Sequence, residues 1–139
     1  MTTAPFPIPA VQDAVYTRLT GDDILMSLIS GVYDYVPETA DFPYVVIGDA
    51  TEIPDNAHDT FGRQTTLTLH VWTRSRTHAK GLAIAARLVA LLDHQPLTIP
   101  GLHHVSTLYE FAQPLVDPEP PGDIRHVVLR FRIRTEQPA

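Results

Sequence analysis

The chain has 139 residues, 44 % hydrophobic and 19 % charged, with a formal net charge of −6, enough for one domain that buries about two-thirds of its unfolded surface. It contains no cysteine, which excludes a disulfide framework and thiolate metal sites. No apolar run approaches the ~20 residues needed to cross a bilayer, and Met1-Thr2-Thr3-Ala4-Pro5-Phe6-Pro7 lacks the basic start and apolar stretch of a signal peptide, so a soluble intracellular product is expected.

The charge is divided along the chain. Residues 1–60 hold one basic residue, Arg18, against ten acidic ones, whereas residues 61–139 hold nine basic against six acidic. An acidic first half weighs against binding nucleic acid by phosphate neutralisation. The polarity suits head-to-tail contacts between copies, and equally a plain solvated surface.

After a lead over residues 1–9, expected to be flexible, Pro9 suits the first position of a helix. Val11, Val15 and Leu19 recur at four-residue spacing, the stripe of a helix facing a core. Thr20-Gly21-Asp22-Asp23 resembles a second helix start with Thr20 as the cap, and Ile24, Leu25, Leu28 and Ile29 supply its apolar face before Gly31. The pattern fits two short helices or one bent one. Phe42 to Gly48 reads as a strand whose continuous apolar run predicts burial on both faces, with Pro43 at its beginning. Asp49 to Phe61 has no periodicity, four acidic residues and no basic one; thirteen residues is long for a connection, and such loops are commonly functional or mobile.

Gly62 to Arg74 alternates and is rich in β-branched residues. It predicts the central strand, with Leu67, Leu69 and Val71 inward and Thr66, Thr68, His70 and Trp72 outward. Ser75 or Thr77 can cap a helix over His78 to Asp93. That helix is apolar around most of its circumference, so it needs cover on two flanks: the sheet on one, and the N-terminal helices or a second subunit on the other. Lys80, Arg87 and His94, seven apart, share its polar stripe. A strand is expected from Leu102 to Phe111, a proline-rich loop from Asp117 to Asp123, and a last strand from Arg125 to Arg134. In that last strand Val127, Leu129, Phe131 and Ile133 point inward, and Val128, Arg130, Arg132 and Arg134 outward. Residues 135–139 form an expected flexible tail. The fold class is α+β, a small, mainly antiparallel four-stranded sheet with helices packed on one face, in a single domain over 1–139.

Catalytic patterns are absent from the sequence. The seven histidines include no pair four apart on a helix and no HExxH pattern. His103 and His104 are neighbours in a strand and so point to opposite faces, while His70 shares a face with Trp72 and is expected to pack on it. There is no GxSxG elbow, and no phosphate loop leads into the single lysine, Lys80. Neither an enzyme, a cofactor nor a metal site is therefore expected. Two features read as interaction surface: the outward row Arg130, Arg132 and Arg134, together with Lys80 and Arg87, and the acidic stretch carrying Asp49, Glu52, Ile53, Asp55, Asp59 and Phe61. A solvated sheet face and a disordered loop are the plainer readings of the two.

The ordered series Val32-Tyr33-Asp34-Tyr35-Val36-Pro37, Phe42-Pro43-Tyr44-Val45-Val46-Ile47-Gly48 and Thr66-Leu67-Thr68-Leu69-His70-Val71-Trp72, followed by an Ala/Ile/Leu helix, resembles the tail-completion (tail-terminator) proteins of long-tailed phages. Related genes occur in prophages and gene transfer agents. The resemblance runs over residues 10–135 and lies in the order and spacing of the elements rather than in one motif. It implies a structural virion protein at the head–tail junction, made in the host cytoplasm. Such a protein forms a homo-oligomeric ring, typically hexameric, on the tail tube protein, stops tube growth and presents the surface joined by the head connector protein. DNA would pass through the ring without sequence-specific binding, and no membrane is involved. The acidic stretch would then face the lumen. A head-completion adaptor, a minor tail protein, a small histidine-dependent metal hydrolase and a ligand-binding domain remain as alternatives.

Overall fold

The structure, a computed structural model, describes residues 4–138. The central element is the strand that the alternation marks, β3, Gly62–Arg74. Its inward side chains Leu67, Leu69 and Val71 are fully buried. It pairs antiparallel along its whole length with the last strand, β5, Ile124–Glu136, so that Leu67 faces Phe131, Leu69 faces Leu129 and Val71 faces Val127. These rows coincide because period-two side chains on paired strands share a face. Each fully buried aliphatic or Phe side chain contributes about 1.5–3 kcal/mol relative to exposure.

The helices cover only this face. Helix α1, Ile8–Thr20, buries Val11, Ala14, Val15 and Leu19. Helix α2 is a separate short helix, Asp23–Leu28. Its cap is Asp22, whose Oδ2 accepts from the Leu25 N–H at 2.8 Å, and not Thr20: the Thr20 hydroxyl is spent on the Tyr16 carbonyl at the end of α1, 2.8 Å away. Helix α3, Ala79–Leu92, begins after His78 without a side-chain cap. Neither expected cap serves, since Ser75 Oγ instead accepts from the Thr77 N–H in the preceding turn, at 3.2 Å. The second flank of α3 is covered by the chain's own N-terminal helices, and Arg87 fastens it there with a two-point bond to Asp22 at 2.8 and 2.7 Å.

Among the described residues the sheet has five strands rather than four: β1 (Val32–Tyr33), β2 (Tyr44–Pro54), β3, β5 and β4 (His103–Val116), in that spatial order. The added strand, β1, is only Val32–Tyr33, parallel to β2 at one edge. Strand β2 runs Tyr44–Pro54 and so takes in the first half of the stretch expected to be a loop; the loop itself is residues 55–61. An irregularity between Ile47 and Ala50 resets the alternation, which hid the strand's second half. Burial on both faces does not hold for β2 either: Val45 and Ile47 are buried, while Tyr44 and Val46 are half-exposed on the helix-free side. Strand β4, His103–Val116, extends five residues past the expected end. Two register shifts interrupt its pattern, and Pro114 is tolerated because β4 is an edge strand.

Of the expected flexible ends, residues 1–3 and 139 lie outside the described residues. Ala4 is buried and its carbonyl accepts from Arg63 Nη2 at 3.1 Å, and β5 continues to Glu136.

Candidate interaction surfaces

The helix-free face of the sheet carries a row of rings. His126 lies opposite Trp72 in the register and stacks on its indole, with centroids 3.9 Å apart and planes 10° from parallel. It is His126, and not His70, that packs on Trp72, because a cross-strand neighbour is nearer than one two residues along the same strand. His70 instead bonds His126, with 2.7 Å between its Nδ1 and the partner Nε2. One nitrogen must donate and the other accept, which requires a neutral acceptor ring. Burial and the neighbouring His70 push His126 down to about 4. Burial also lowers His70, with Asp49 partly opposing it. Among the described residues no three of His, Cys, Asp and Glu converge in a way that would hold a metal ion. At the other end of the sheet His104 is occupied structurally, bonding Thr107 Oγ1 at 2.7 Å.

The arginine row proves to be three different environments. Arg134 is neutralised, with Asp55 2.7 Å and Glu136 2.9 Å away. Arg132 reaches Glu110 only at 3.7 Å. Arg130 is exposed, with no ion pair among the described residues, and its guanidinium lies 5.0 Å over the Phe111 ring. Arg87 and Lys80 belong to α3 on the opposite side of the sheet: Arg87 is consumed by Asp22, and Lys80 is exposed beside Glu38, Asp41 and Arg74. The five residues therefore do not form one surface.

The acidic stretch is likewise divided. Glu52 pairs with Arg63 at 3.1 Å, and Asp55 is held by Arg134. Ile53 is exposed on β2, and Phe61 is half-buried where its carbonyl accepts from the Gln137 N–H at 2.9 Å. Asp49 and Asp59 are exposed without an ion partner among the described residues.

Sequence reasoning missed the two edges. On β4, Val105, Tyr109, Phe111, Leu115 and Val116 are all exposed; the signal was the apolar content of 108–116, masked by the shift between Tyr109 and Phe111. At the β1 edge, Tyr35 is 83 % exposed. Beside it an open hollow of about 300 Å³ is lined by Gln12, Asp13, Tyr16, Tyr33 and Asp34, with no basic residue.

An α+β sheet with one face unclad, exposed apolar side chains at its edges and charges without ion partners among the described residues offers surface for contact with other chains. The chain belongs to the family described as tail completion protein gp17, whose model matches residues 13–136. It is 29 % identical over 123 residues to the tail completion protein gp17 of Bacillus phage SPP1, covering 88 % of this chain and 90 % of that protein. A chain in the virion of a native gene transfer agent particle matches with a TM-score of 0.83 and 27 % identity, over 93 % of this chain and 96 % of that one. The solved SPP1 gp17 protein shares the fold, with a TM-score of 0.63 and 23 % identity over 96 % and 95 % of the two chains. The protein is therefore a structural component of the virion tail.

Proposed function

We propose that this chain completes the tail by sitting as a ring of copies on the last ring of the tail tube, where it stops growth and offers the surface that the head connector joins. Its partners are copies of itself, the tail tube protein and the connector, and its work is contact without chemistry. Family membership over residues 13–136, with the close match to a chain of an assembled gene transfer agent virion, carries the reading. The unclad face and exposed apolar edges supply surfaces for such contacts. DNA would pass the ring without being read. Asp49 and Asp59, unlike the neutralised Glu52 and Asp55, keep charge available to line the lumen.

The test is deletion of the gene from the phage or prophage that carries it, with negative-stain microscopy of the lysate. Full heads beside unjoined tails of irregular or excessive length are expected. Joined particles of normal length would overturn the reading, and tails of normal length that merely fail to join would move the protein to a head-completion adaptor.

A further inference from the structure

The two edges of the sheet differ in chemistry. At the β4 edge, Arg130 lies over exposed Phe111 with Arg132 two residues along the same face of β5, a cationic and aromatic knob. At the β1 edge, the hollow between α1 and β1 has Asp13 and Asp34 on its rim and Tyr16 and Tyr33 in its wall. Neither carboxylate has an ion partner among the described residues, and Tyr16 is 48 % exposed. Carboxylates beside aromatic rings are the receptor that a guanidinium carried on an aromatic ring requires.

We propose that the Arg130–Phe111 knob of one copy seats in the Asp13–Tyr16–Asp34 hollow of the next. This contact rests on the ring proposed above and names the surfaces that build it. Knob and hollow lie at opposite edges of the five-stranded order, so a copy cannot satisfy itself. A contact between unlike patches repeats from copy to copy, as a closed ring demands. The pairing is made by side chains and not by strand addition. The outward backbone of β4 is already used where the Tyr109 N–H donates to Asp93 Oδ1 at 2.9 Å and the Thr107 carbonyl accepts from the His94 N–H at 2.8 Å. Further along, Pro114 offers no donor.

Charge exchange in the virion tests it, with each variant supplied in place of the wild-type gene and its retention on purified tails measured against the tube protein. Arg130→Glu and the pair Asp13→Arg with Asp34→Arg are each expected to lower retention by about tenfold or more, as like charges meet across the contact. All three changes in one chain restore complementarity and should recover retention. Undiminished retention of both single-edge variants, or no recovery in the combined chain, overturns this contact. The ring reading itself is judged separately, by the deletion phenotype. Should a charge variant fail to fold, the cysteine-free background permits a second measurement on assembled tails. Tyr16→Cys with Phe111→Cys in one chain should cross-link into a ladder of multimers under mild oxidation. Either change alone should give dimers at most, and absence of the ladder rejects the contact.

Discussion

Single residues on the unclad face set how the protein responds to acid. His126 is held neutral by burial and by His70, with its pKa near 4 against 6.5 for the free side chain. An unfolded chain therefore binds a proton at this position that the folded one refuses, so stability falls as pH drops from about 6.5 towards 4. Asp22 contributes in a separate, lower window. Its bond to Arg87 holds it at about 2, so its support is present above the usual carboxylate value of 3.8 and is lost as pH falls through 2. Urea unfolding of the wild type should give lower stability at pH 5 than at pH 7.5, and His126→Gln should flatten the difference. A pH slope in the variant as steep as in the wild type would assign the effect to other groups. The single tryptophan lies under His126, so its fluorescence should change with a midpoint near 4 if this ring is the one that titrates.

At the scale of elements, the β2–β3 hairpin is closed by contacts that only a glycine permits. The Gly62 carbonyl accepts from the Asp55 N–H at 2.8 Å and its own N–H donates to Asn56 Oδ1 at 3.1 Å. A Cβ on residue 62 would run into the Asp55 carbonyl oxygen, which is backbone and cannot swing aside. Gly62→Ala should therefore destabilise by about 1–3 kcal/mol in chemical denaturation, and a change below about 0.5 kcal/mol would mean that the hairpin end yields freely. The β3 and β5 faces were legible in the sequence because alternation over a dozen residues has one physical cause, one buried side. The second halves of β2 and β4 were not, because a register shift inverts the pattern without changing the composition. The arginine row was correctly read as outward from β5 alone. Its neutralisation at Arg134 depends on Asp55, 79 residues away, which no local pattern reports. The hollow at the β1 edge was equally out of reach, since it joins Asp13 on α1 to Asp34 beyond β1.

At the scale of the whole molecule, the proposed ring would turn small surface charges into a large field by repetition. In one copy, exposed Asp49 and Asp59 interact weakly with anything beyond the Debye length of about 8 Å at physiological salt. In the ring proposed above, the same two carboxylates would recur in every copy, and a narrow passage between low-dielectric walls would focus their field. A DNA backbone moving through would be repelled from the wall and kept from binding there. Paired Glu52 and Asp55 add little to that field, because Arg63 and Arg134 cancel them. Replacing Asp49 and Asp59 together by Asn should leave the fold within about 0.5 kcal/mol of wild type and the yield of joined particles unchanged. It should also slow or diminish DNA delivery, most at low ionic strength, where the lost repulsion reaches furthest. Delivery measured against salt separates the outcomes: equal delivery by variant and wild type at every ionic strength removes these residues from the lumen. A loss of joined particles would instead place them at a contact with the tube or the connector.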